Sequence, residues 1–197
     1  MPRNSAPTPE KPTLVFHDKR AWAAWLDDNH RTSAGVWLRM AKKSSGLPSV
    51  SYDEALDVAL CYGWIDGTKK RDDAEYFLQK FTPRGKRSIW SKRNREKALA
   101  LIERGEMKAA GLAEVERART DGRWDAAYDG PSRMAVPDDL HAALHANRHA
   151  KAFFETLNSQ NRYAILFRIH SAKRADTRAK RIREFVEMLA RGETIYP

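Results

Sequence analysis

A helix that begins at a capping box, ends at a glycine and runs straight into two strands fixes the architecture of the first half of this chain. Ser51 and Glu54 stand at the spacing at which each side chain satisfies a backbone donor of the other, so a helix starts there and runs to about Tyr62. Gly63 then supplies the residue that tolerates a positive φ just past a helix end. Residues 64–69 and 75–82 read as two strands joined by a polar turn at 70–73. Upstream, a short apolar run at 14–16 precedes Asp18, an N-cap for a helix that carries Trp22, Trp25 and Leu26 on one stripe. Gly35 releases a strand over 36–40, where Val36, Leu38 and Met40 alternate with Trp37 and Arg39. The order βαβαββ predicts an α+β fold with a small antiparallel or mixed sheet.

After Pro83 the pattern turns helical. Ser91 caps a helix to Arg104, Gly105 ends it, and residues 107–119 carry Leu112 and Val115 at helical spacing. Residues 121–136, with prolines and glycines near 129–132, read as a linker. An all-helical C-terminal module follows over 137–197. Phe153, Phe154 and Leu157 mark one helix, Tyr163, Leu166, Phe167 and His170 another, and Ile182, Phe185, Val186 and Leu189 a third, closed by Gly192. The expected plan is a disordered tail over 1–13, an α+β domain over 14–120, the linker, and the helical module.

With 197 residues and 42% apolar content the chain can bury a core without staples. Its one cysteine, Cys61, forms no intrachain disulfide, and the polar start has no apolar leader; a cytoplasmic protein without a membrane span is the expectation. The formal charge of +10 is local: residues 84–97 hold seven Lys or Arg against Glu96, and residues 162–183 hold eight against Asp176. Clustered positive charge points to an anionic partner, a small molecule or a protein. Phosphates of a nucleic acid contacted without base reading by residues 162–183 are the alternative.

No phosphate-cradling glycine loop, paired-histidine zinc motif, CxxC pair or GxSxG elbow is present. Cys61 follows Leu60 at the apolar end of a helix and reads as a core thiol. His141, His145 and His149 recur every four residues, but the outer two lie ~12 Å apart on a helix, and a third and fourth ligand at suitable spacing are lacking. His170 reads as a core histidine. Neither metal nor cofactor is expected, and no nucleophile and base can be paired; an enzyme of unrecognised type near Cys61 and Asp66 is the remaining catalytic reading. The recognition chemistry concentrates in residues 60–94: Trp64 and Trp90 offer flat apolar surface, Asp66 an acid before a turn glycine, and Arg84, Arg87, Ser88, Ser91 and Asn94 donors suited to an anion. These eight residues are expected to form a pocket floored by indole rings, with Ser91 and Asn94 at a helix N-terminus that favours negative charge.

The words LCYGWIDG, KFTPRGKRSIWSKRN and RYAILFRIHSAKRADTRAKRI resemble the YdeI/OmpD-associated family, also called bacteriocin-protection proteins, over residues 14–194. The resemblance implies an α+β first half and a small helical module, marked here by Tyr163, Ala172, Lys173, Thr177, Arg178 and Ile182. Two departures are Phe167 to Ile169, where a Trp-Ile pair is more usual, and Asp176, where Glu is. It implies a non-catalytic stress-resistance role against bacteriocins or cationic antimicrobial peptides and carries over no catalytic residue. A chain at +10 repels a cationic peptide at long range, so protection is expected to be indirect.

Overall fold

The structure, a computed structural model, describes residues 11–130 and 133–197, so most of the expected tail lies outside the described residues. The chain divides into two compact units, Met1–Tyr128 and Asp129–Pro197.

Unit 1 is α+β. Its four-stranded mixed sheet runs in the order β1, β2, β4, β3, with β1 (Thr13–Leu14) parallel to β2 (Val36–Ala41), and β4 (Tyr76–Pro83) antiparallel to both β2 and β3 (Trp64–Arg71). Helices α1 (Lys19–Asn29) and α2 (Tyr52–Cys61) start where the sequence places them. Asp18 accepts from the amides of Arg20 and Ala21 at 2.8 and 2.9 Å, and Ser51 and Glu54 form the complete capping box. Because side chains alternate along a strand, Val36, Leu38 and Met40 face the helices with Phe81, all at most 1% exposed. Trp22, stacked on Trp25 at 5.4 Å, meets Trp64 edge-on at 6.2 Å, and the indole N–H of Trp22 donates to the Ala55 carbonyl and that of Trp64 to the His30 carbonyl.

Helices α3 (Lys92–Glu103) and α4 (Ala109–Thr120) complete the unit. Helix α4 crosses the end of α2 at Gly111, where a Cβ would lie 2.4 Å from the Cys61 carbonyl oxygen and 2.7 Å from that of Leu60. Gly63, at φ +72°, reverses the chain between α2 and β3 beneath the same helix. The linker expectation is corrected at its N-terminal end. Trp124 and Ala127 are buried in the core of unit 1, where Trp124 meets Trp90 at 4.9 Å, and the backbone of Tyr128 pairs with that of Trp90. The surrounding glycines and aspartates gave a loop signal, and one tryptophan anchors that loop.

Unit 2 is all helical: α5 (Asp138–His145), α6 (Arg148–Thr156), α7 (Ser159–His170) and α8 (Ala175–Ala190). They close on Leu140, Leu144, Phe154, Ile165, Leu166, Ile169, Ile182 and Leu189. Arg178 clasps three helices: its guanidinium binds both oxygens of Asp139 at 2.5 and 2.9 Å and donates to the Ile169 carbonyl at 3.1 Å.

Candidate functional site

The indole-floored pocket expected from the sequence is not an open cleft. Trp64 and Trp90 are 1% and 2% exposed, and Asn94 is buried inside α3. Ser91 spends its hydroxyl capping α3, accepting from the Asn94 amide at 3.1 Å. Ser88 folds its own loop, its hydroxyl accepting from the Gly85 amide at 2.9 Å and its carbonyl from Arg123 at 2.6 Å. Arg87 faces solvent. Arg84 points inward, 5% exposed, with its guanidinium carbon 3.6 Å above the Trp90 ring and one donor on the Ile89 carbonyl at 3.2 Å. Two further guanidinium nitrogens of Arg84 and the Trp90 indole N–H have no acceptor. Burial pushes the Arg84 pKa down to about 10, against the fields of Glu114 and Asp66, which hold its charge in place.

The basic window over 84–97 is largely consumed in holding unit 1 together. Arg93 pairs with Asp53 at 2.6 Å, Lys97 with Asp57 at 2.7 Å, and Arg95 donates to the Trp124 carbonyl at 3.2 Å. Counting charges along a sequence does not reveal which are already spent on neighbours.

The chemistry suited to an anion lies instead at the far end of the sheet. A cleft of about 580 Å³ opens between the turn after β2, the start of α2 and the β3–β4 hairpin. Lys42, Lys43 and Lys69 line it with Tyr52, Phe77 and Gln79, and no carboxylate is among its lining residues. An adjoining recess of about 450 Å³ shares Lys42, Lys69 and Phe77 and adds Lys70 and Arg71. The two form one basic groove with aromatic walls.

A β-bulge makes this arrangement. Asp66 pairs with Phe81 and Lys69 with Gln79, so β3 spends one residue more than β4 between these pairs, at Gly67 and Thr68. In a regular strand residues 66 and 69 would face opposite sides; the extra residue brings both to the helix side. Gln79, 3% exposed, donates its side-chain N–H to the Gly67 carbonyl at 2.9 Å, satisfying an acceptor next to the bulge. Lys69 then extends 4.1 Å over the Phe77 ring, and Lys70, on the outer face, lies 4.6 Å over Trp37. Two of the hairpin's acids, Asp72 and Asp73, are taken by Arg39 at 2.6 and 2.5 Å. Lys42 donates to the carbonyls of Asp73 and Ala74 at 2.6 and 3.0 Å, fixing the hairpin tip with its charge uncompensated by a carboxylate.

At the groove's margin the Tyr52 hydroxyl donates to Asp66 at 2.8 Å. Burial, with Asp66 second, raises the Tyr52 pKa well above its ordinary value, so the phenol stays a donor at neutral pH. Asp66 thus links the groove wall to the field around Arg84. Lys42-Lys43 and Lys69-Lys70-Arg71 are two short runs in the sequence. Only the β2–β4–β3 pairing and the bulge bring them together.

Catalytic alternatives find little support in geometry. Cys61 is 6% exposed, and burial raises its thiol pKa to about 11. At pH 8 iodoacetamide should therefore modify the native chain at least about tenfold more slowly than the unfolded chain; equal rates would show an accessible, ionisable thiol. The His141 and His145 ring centroids lie 4.4 Å apart, whereas His149 falls beyond the break at Asn147, whose side chain caps α6. Among the described residues no group of three or more His, Cys, Asp or Glu could hold a metal ion, and no helix is long and apolar enough to cross a membrane.

Residues 14–114 match the family model described as Domain of unknown function (DUF8412), more than half of the 197 residues. The chain belongs to that family. The DUF8412 region starts within β1 and contains β2 to β4, α1 to α3 and the whole basic groove. Residues 133–192 match the family model described as Bacteriocin-protection, YdeI or OmpD-Associated (OmdA), so the resemblance quoted from the sequence is found in the helical unit. No curated protein and no solved structure matches the chain.

Proposed function

We propose that the DUF8412 region is a non-catalytic module that binds a small, multiply charged anion of the phosphate type, and that the attached OmdA module places this binding in a stress or bacteriocin-resistance role. The observation that carries the reading is the groove: Lys42, Lys43 and Lys69 beside Tyr52 and Phe77, with Lys70 and Arg71 lining the adjoining recess and no carboxylate among the lining residues. A lysine ammonium is a point charge without the planar fork that selects a carboxylate, so several together favour a compact polyanion. An anionic ligand also fits a chain at +10, which disfavours direct capture of a cationic peptide.

The nucleic-acid reading through residues 162–183 loses support from the geometry of unit 2. Arg178 is committed to Asp139, Arg162 lies 4.5 Å over the Phe154 ring and Arg181 donates to the Arg168 carbonyl, while Arg174 and Lys180 meet Asp176 and Glu184 in exposed pairs.

Isothermal titration with inorganic pyrophosphate at low ionic strength tests the proposal. The double variant Lys42→Ala, Lys69→Ala should lose at least tenfold in affinity, and binding by the parent chain should weaken as salt screens the groove within about 10 Å. Unchanged affinity in the double variant would remove the groove as the site.

A further inference from the structure

Unit 2 carries a second cleft, of about 540 Å³, between α7 and the chain around residue 196. Its walls are aromatic. Tyr163 and Phe167, one helical turn apart with ring centroids at 5.6 Å, form one side, and Tyr196 lines it with the polar Ser159 and Gln160 nearby. The position of Tyr196 is fixed by a buried amide. Asn161, 2% exposed, donates to the Tyr196 carbonyl at 3.1 Å and accepts from the amides of Ile195 and Tyr196 at 3.1 and 2.9 Å. Three hydrogen bonds from one side chain hold two successive residues against α7, so this wall does not depend on the apolar packing of an end segment.

Arg168 supplies the charge. It lines the same cleft with its guanidinium carbon 5.8 Å from the Tyr196 ring, and its Nη1 is withdrawn from solvent with no acceptor. No carboxylate is among the lining residues. A withdrawn guanidinium nitrogen is costly without an acceptor, and a planar fork matches a carboxylate in two-point geometry. One cation selects a monoanion, in contrast to the lysine-rich groove of unit 1, and rings on both sides select a flat apolar body. The volume falls in the range of small-molecule sites.

We propose that unit 2 binds an aromatic monocarboxylate in this cleft, with the carboxylate on Arg168 and the ring between Tyr196 and the Tyr163 and Phe167 pair. The inference is independent of the groove in unit 1.

The test is a titration of the full chain with benzoate, up to about 20 mM to cover millimolar affinity, followed by backbone amide NMR. Saturable shifts are expected at residues 159–168 and 194–197. Benzamide, the same shape without charge, should bind at least tenfold more weakly, and Arg168→Met should lose at least tenfold in benzoate affinity while the spectrum stays dispersed. Should Arg168→Met lose its fold, Tyr196→Ala, at a position 38% exposed, removes one wall without opening the core and should weaken benzoate by a similar factor. Absence of saturable shifts, equal affinity for benzamide, benzoate affinity unchanged in the folded variant, or shifts confined to 41–43 and 69–71 would overturn the assignment.

Discussion

Trp64→Ala should cost unit 1 about 3–5 kcal/mol, the range for removing a fully buried aromatic side chain. Trp64 is 1% exposed, meets Trp22 and Trp25 edge-on at 6.2 and 6.0 Å, and donates its indole N–H to the His30 carbonyl. Truncation leaves a cavity beneath the two α1 rings and strands that carbonyl. Against a typical total stability of 5–15 kcal/mol, the variant should unfold at a much lower urea concentration than the parent. A change below about 1 kcal/mol, with loss of anion binding, would return Trp64 to the ligand-contact role first read from the sequence.

Gly111→Ala should destabilise although alanine is the better helix former. Substituting a helical glycine by alanine gains at most about 1 kcal/mol of propensity. Here the new Cβ would lie 2.4 and 2.7 Å from the carbonyl oxygens of Cys61 and Leu60, and 2.8 Å from the Met107 methyl. Met107 can swing away, but the two carbonyls belong to the last turn of α2 and move only if the α2–α4 crossing widens. Such overpacking costs about 1–3 kcal/mol or more, so the clash outweighs the gain and the midpoint of thermal unfolding should fall. A rise would mean that α4 does not approach α2 this closely.

How far the sequence could be read varied by kind of feature. Element order in unit 1 was legible because local chemistry marks each boundary: Asp18 and Ser51 accept the amides expected of caps, and Gly63 adopts the positive φ that its place after α2 requires. The α+β class follows from that order. The site was less legible, for three physical reasons. Arginine is mostly exposed, so nothing in the word KFTPRGKRSIW marks Arg84 as the inward member stacked on Trp90. The bulge at Gly67 and Thr68 reverses the alternation on which face assignment rests, which moved Lys69 to the side of Asp66. Within residues 84–97 and 162–183, Arg93, Lys97 and Arg178 are paired by acids far off in sequence, Asp53, Asp57 and Asp139. A short run such as Lys42-Lys43 carries less charge than either long window, yet the lack of carboxylates among the residues lining its groove makes it the stronger anion signal.

The groove account predicts where a bound anion should be felt. Backbone amide NMR of the full chain titrated with pyrophosphate measures this directly: saturable shifts should cluster at residues 41–43, 51–52, 69–71 and 77–79, with smaller changes elsewhere. Shifts centred on residues 84–94, or none that saturate, would contradict it.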